Sequence, residues 1–190
     1  MELKEFTEQV LADFRLRLLR AIEGFSPEEL AWRPNVDANS MSFIIWHVSR
    51  VEDRWLQRFA QDTQEVWVRD GWSEKTGIAE QGRGVGYTAE QLTQFPVVRG
   101  DDLKQYFEDV RKATLTFLHA LEDKDFDDAP EREPAPDRPR AISNPAYAGC
   151  RIGRMFRQLV AEFNQHLGQI QYVRGLQEGL TNELNVTNPN

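Results

Sequence analysis

Two side chains one helical turn apart carry the most evident chemistry in this sequence: Glu162 and His166, within LVAEFNQHLGQI (159–170). Apolar residues surround them at spacings of three and four. The line Met155, Leu159, Glu162, His166, Ile170, Val173 therefore falls on one face of a helix. A carboxylate and an imidazole stand there among oily residues, close enough together to hold a single ion. A third group comes from a separate segment, where His47 lies between Ile44 and Val51 on another apolar stripe. Burying an ionised carboxylate is costly unless it is paired or bound to a metal, and an ion shared with two imidazoles would remove that cost. The spacing leaves a purely structural reading open beside this one. A lone histidine on an apolar face is more often a satisfied core residue, and Glu162 could reach outward or pair with an arginine such as Arg54.

The remaining reactive side chains offer less. His119, at the end of a helix in FLHALED, reads as an exposed histidine near the last-turn carbonyls. Cys150 is expected in the first turns of the last helix, where the dipole would favour its thiolate. With no histidine close by in sequence, it reads as a packing residue. Trp46 and Trp55 read as core or pocket wall, and Trp67 and Trp72 as residues that help to close a cavity. Arg50, Arg54 and Arg174 are expected to be mostly solvated, with one or two near enough to the site to meet a substrate carboxylate.

Four long amphipathic helices would position these groups. The first runs from Leu3 to Ile22 on Phe6, Val10, Leu11, Phe14, Leu18 and Ile22. Ser26-Pro27-Glu28-Glu29 restarts the chain as a capping box, and Trp32-Arg33-Pro34 ends that short piece. The second long helix is expected from about Asn39-Ser40 to Gln61, with Arg50, Glu52, Asp53 and Arg54 on its wet side. In the excursion 62–98, Val66-Trp67-Val68 reads as a short extended piece, Gly82, Gly84 and Gly86 as a mobile loop, and Thr88 to Gln91 as a capping box. The GxGxG spacing is not read as a phosphate cradle, since no apolar strand precedes it. The third helix starts at Gly100-Asp101-Asp102 and carries Leu103, Phe107, Val110, Leu115, Leu118 and Leu121. A proline- and charge-rich loop (123–145) follows, and Asn144-Pro145 is expected to open the last helix, which runs to about Gly179. The fold class is thus all-α, a four-helix bundle forming one domain over 1–180, with long loops between helices two and three and between three and four. A polar tail occupies 181–190.

Of 190 residues, 31 are acidic and 23 are Lys or Arg, a net charge of −8. Such a surface repels phosphate backbones and anionic lipid, which argues against nucleic-acid and membrane partners. The charged start ELKEFTEQ lacks the apolar core of a signal peptide, and no apolar run approaches a bilayer span. A single cysteine excludes an internal disulfide. A soluble cytoplasmic protein is expected, with the Asn185-Val186-Thr187 sequon accidental.

Three stretches together resemble the DinB/YfiT-like superfamily of four-helix-bundle metalloenzymes. Ser26 to Leu30 leading to Trp32-Arg33-Pro34 is similar to the family's linker after its first helix. Asn39-Ser40 through His47 to Glu52 and Trp55 is similar to its second helix. Glu162, His166, Gly168 and Gln169 fall on the H-x-x-x-H-x-G-Q segment of its last helix. The resemblance covers Leu3 to about Leu180. It implies that three side chains hold a divalent metal, one from the second helix and two from the fourth. His47 and His166 match ligand positions, and Glu162 stands where the family has a histidine. Two histidines and a carboxylate, with positions left open, suit zinc, nickel, manganese or iron.

Members of that superfamily include thiol S-transferases that use bacillithiol and isomerases that use mycothiol. The resemblance therefore implies a metal-dependent transferase in detoxification or stress response. Its partners would be a small-molecule thiol held as thiolate and an electrophile at the open end of the bundle, and the protein would form a homodimer through helix faces. A helical scaffold or dimerisation module without chemistry, and a metal-dependent hydrolase, are the alternatives.

Overall fold

Local signals set several of the helix starts. The Ser26 hydroxyl accepts from the Glu29 amide while the Glu29 carboxylate takes the Ser26 N–H, and this reciprocal cap opens α2 (Pro27–Ala31). Thr88 and Gln91 repeat the device at α6 (Ala89–Thr93). A computed structural model describes residues 1–82, 84–130 and 149–179. The long helices are α1 (Leu3–Ala21), α3 (Met41–Asp53), α7 (Gly100–Ala120) and α8 (Ile152–Glu178), joined by the short α4 (Val66–Arg69) and α5 (Trp72–Thr76). α3 continues as a π-helical segment, Arg54–Gln61, and a 3₁₀ turn spans Asp123–Asp127. Among the described residues there is no strand, and no helix is long and apolar enough to cross a membrane.

α3 packs on both α7 and α8, and α1 packs on the same two helices, so the four long helices close around one core. Phe14 of α1 stacks on Phe163 of α8 at 4.4 Å and meets Phe107 of α7 edge-on at 6.1 Å. Leu11, Leu18, Ile45, Val48, Val110, Leu159 and Ile170 fill the layers around them. At about 1.5–3 kcal/mol for each fully buried side chain, this packing is the main force that aligns α3 with α8.

The expected wet side of α3 is instead buried. Arg50, Glu52 and Asp53 are at most 2% exposed, and the Arg54 side chain is 17% exposed. The cause is tertiary: α4 and α7 lie over that face. Every charge placed there has a partner. Glu52 receives both Nε and Nη2 of Arg111 at 2.8 and 3.0 Å, and Arg111 also donates to the Leu11 carbonyl. Asp53 accepts from the Val66 and Trp67 amides and the Tyr106 hydroxyl, each at 2.9 Å. Desolvation pushes its carboxyl up to about 6 against these donors. Glu65 pairs with Arg50 at 2.7 Å and with Arg58 at 3.1 Å. Burial alone would raise the Glu65 carboxyl, but Arg50, Arg54 and Arg58 together hold it below the usual range.

Other expectations change as well. Val66-Trp67-Val68 is helical rather than extended, because the Asp53 carboxylate takes two amides of its first turn. Trp67 and Trp72 do not close a cavity. Both are core residues packed on Tyr106. The Arg174 side chain is only 13% exposed, donating to the Arg20 carbonyl and Glu178 with its guanidinium over Phe25. The last helix begins at Ile152, after Gly149 in the left-handed region (φ +64°), and not at Asn144-Pro145. Residues 131–148, which include that pair and most of the proline-rich loop, lie outside the described residues, as do 180–190 with the polar tail and the Asn185 sequon.

Candidate metal centre

α3 delivers His47 two turns from its start, fixed by the Ser40 cap, whose hydroxyl accepts from the Phe43 amide. α8 delivers Glu162 and His166 from facing positions on the same side of the core. The two imidazoles meet with ring centroids 4.9 Å apart at 76°. One ligand atom from each of His47, Glu162 and His166 lies within 4.8 Å of the other two. Phe43, one turn before His47, holds its ring parallel to the imidazole at 6.1 Å. His47 is 8% exposed, while the side chains of His166 and Glu162 are 14% and 26% exposed. The group therefore sits at the margin of the core, open on the side of Glu162, and not deep in the interior.

Hydrogen bonds fix which atoms face inward. Gln169 Oε1 lies 2.9 Å from His166 Nδ1. An amide oxygen only accepts, so Nδ1 carries the hydrogen and the lone pair of the neutral ring is on Nε2. That Nε2 lies 3.3 Å from Glu162 Oε2. The other oxygen, Oε1, accepts from Gln158 Nε2 at 3.1 Å. Two acceptor atoms thus face each other at close range, an arrangement that requires a proton or a cation between them. Neighbouring ligands on a tetrahedral zinc with bonds of about 2.0–2.1 Å stand roughly 3.3–3.4 Å apart. Glu162 and His166 are already at that separation, so this pair fits a divalent ion by chemistry and by spacing, with a His47 nitrogen within 4.8 Å of both. The hydrogen bond at the remote ring nitrogen is the outer-shell contact that histidine ligands usually have.

The three residues that the sequence singled out as ligands come together. The others do not join them. His119 is exposed on the surface, where its Nε2 meets Glu8 at 3.0 Å. Cys150 precedes α8 instead of lying in its first turns. It is buried, and desolvation pushes its thiol up despite Arg154 and Arg157. Trp46 is a fully buried core residue, and Trp55 packs edge-on against Phe59. Arg50 is held by Glu65. Of two residues that orient the site, Gln158, four residues before Glu162, goes unmentioned in the sequence analysis, and Gln169, three after His166, enters there only as the last position of the H-x-x-x-H-x-G-Q resemblance. Their helical spacing from the ligands is the signal that would have found them.

An all-α protein with long packed helices and a two-histidine, one-carboxylate group shared by two of them is the class that this geometry defines. The chain belongs to the DinB superfamily, whose family model matches residues 11–170, from α1 through His47 to the Glu162–Gln169 segment. A solved structure of similar fold is a conserved protein from Enterococcus faecalis. It superposes with a TM-score of 0.78 over 95% of this chain and 99% of that one, at 16% identity. No curated protein matches the chain in sequence.

Proposed function

We propose that the protein binds one divalent metal ion through His47, Glu162 and His166 and uses it to transfer a low-molecular-weight thiol to an electrophile. The observation that supports this most is the 3.3 Å approach of Glu162 Oε2 to His166 Nε2, on a ring whose Nδ1 already donates to Gln169. A bound divalent cation supplies a Lewis acid that lowers the pKa of a coordinated thiol or water. The chain's own residues do the rest. Gln169 fixes the His166 tautomer, Gln158 orients Glu162, and the exposed margin beside Glu162 admits a small molecule. In the transfer, the thiolate sulfur forms a new bond to an electrophilic carbon, whose leaving group departs with the broken bond's electron pair. The thiol proton goes to solvent. No protein nucleophile is required, consistent with a buried Cys150 whose thiol is pushed up. A carboxylate in place of a third imidazole reduces the site's net positive charge by one, which holds the cation more firmly and acidifies a bound thiol less. The scaffold alternative needs Glu162 to pair with an arginine, whereas its partners here are His166 and Gln158.

The test is thiol conjugation. Protein loaded with zinc, nickel or manganese is mixed with a small thiol and an alkylating dye, and the thioether is followed. Thiol-dependent product formation by the wild type, lost in His47→Ala, is the expected result. Ester cleavage by the loaded protein without thiol consumption would favour metal-assisted hydrolysis instead.

A further inference from the structure

The metal centre has a wall made by a segment that supplies no ligand. Gly84 has φ +72°, and a Cβ added there would lie 2.8 Å from His47 Nδ1 and 3.0 Å from both Phe43 Cζ and Trp46 Cζ3. The backbone at Gly84 therefore lies directly against the imidazole and the two rings beside it. Gly82 makes a similar approach, since a Cβ there would stand 2.6 Å from the Tyr87 hydroxyl and 3.2 Å from Trp46 Cη2. Its carbonyl accepts from Arg50 Nε at 3.3 Å. Arg50 is itself immobilised, with Glu65 at 2.7 Å and its guanidinium 5.0 Å over the Trp67 ring. The segment is thus anchored at Gly82 by a buried ion pair and rests at Gly84 on a ligand ring.

We propose that Gly84 is a positioning residue of the metal centre, its bare backbone acting as the stop against which the His47 imidazole is held. The proposal rests on the reading that His47, Glu162 and His166 bind a cation. Two separate requirements make this position glycine: a left-handed backbone, and the absence of any side chain between the loop and the ring. Only the second concerns the metal. Gly86 separates them, because it too has a positive φ (+70°) but nothing within 4 Å of an added Cβ. Gly84→Ala and Gly86→Ala therefore both force a side chain into the left-handed region, and only the first pushes on His47.

The experiment titrates zinc into metal-free wild type, Gly84→Ala and Gly86→Ala by calorimetry, with melting temperatures recorded alongside. Both variants melt below the wild type, Gly84→Ala by the larger amount because its Cβ also presses on the buried Phe43 and Trp46 rings. Gly86→Ala should bind zinc within about threefold of the wild type, and Gly84→Ala at least tenfold more weakly. Equal affinities in the two variants, with a wild type that binds, overturn the proposal and leave the metal reading standing. A wild type that takes up no zinc, nickel or manganese overturns the metal reading and the proposal with it. Should Gly84→Ala fail to fold, amide exchange in the wild type decides. Zinc should slow exchange at least tenfold from Gly84 to Tyr87 and leave Ala89 to Thr93 unchanged, and a binding wild type with no slowing at Gly84 to Tyr87 overturns the proposal.

Discussion

Replacing Gln169 with leucine tests whether the His166 tautomer is set from outside the site. Gln169 Oε1 is 2.9 Å from His166 Nδ1, and its loss frees the imidazole to rotate and to place its hydrogen on either nitrogen. Outer-shell partners of this kind are worth about 10–100-fold in metal affinity, or roughly 1.4–2.7 kcal/mol. The same bond contributes little to the metal-free fold. Gln169 is half-buried, and a neutral hydrogen bond nets about 0.5–1.5 kcal/mol, which at roughly 2–4 °C per kcal/mol shifts the melting temperature by only a few degrees. Competition calorimetry against a chelator gives the zinc affinity, and a thermal melt of the metal-free protein gives the stability. Gln169→Leu should lose at least tenfold in affinity, while Gln169→Glu, which retains an acceptor and adds charge, should keep it. The reasoning is refuted if Gln169→Leu binds zinc within twofold of the wild type while His166→Ala binds none.

Two further predictions concern the buried charges that carry α3. Glu52→Gln leaves the Arg111 guanidinium, 2% exposed and enclosed by Phe14, Phe107 and Phe163, without its counter-charge, and should cost about 3–5 kcal/mol. The double replacement Glu52→Leu/Arg111→Met should cost less than either Glu52→Leu or Arg111→Met alone in urea melts, and strict additivity of the two would contradict this. Asp53, with its carboxyl at about 6 in place of 3.8, keeps a proton in the folded state that the unfolded chain has released. Its contribution to stability is therefore full below about pH 4 and is lost as the pH rises through about 6, on the order of 3 kcal/mol in all, with about 1.4 kcal/mol falling between pH 5 and 7.5. Relative to Asp53→Asn, the wild type should thus weaken over that interval in urea melts, and a relative gain would reverse the argument.

The periodic stripes and caps located α1, α2, α6 and α7 well, because those signals are local: a hydroxyl answered three residues on, or an apolar residue every third or fourth position. The candidate site residues were legible for the same reason. His47 and the Glu162–His166 pair are visible as polar interruptions of apolar stripes. What escaped depends on contacts between distant parts of the chain. The polar face of α3 looks solvated until the excursion beyond Gln61 covers it, and nothing near Glu52 announces Arg111, 59 residues away. Three β-formers at Val66–Val68 read as extended, yet two amides of that turn are claimed by Asp53, 13 and 14 residues earlier. At Gly84 the sequence shows only a loop glycine, and its proximity to His47 is a contact between residues 37 apart, in a segment whose Gly82 carbonyl accepts from Arg50.

The most direct test of the central claim is the metal content and metal-induced stabilisation of protein purified without a metal-affinity tag. About one equivalent of a divalent transition metal per chain is expected. Restoring metal to chelator-stripped protein at a hundredfold excess over Kd should raise its stability by about 2.7 kcal/mol, roughly 5–10 °C in melting temperature. Neither effect should survive His166→Ala. A metal-free preparation whose melting temperature is unmoved by zinc, nickel and manganese would contradict that claim.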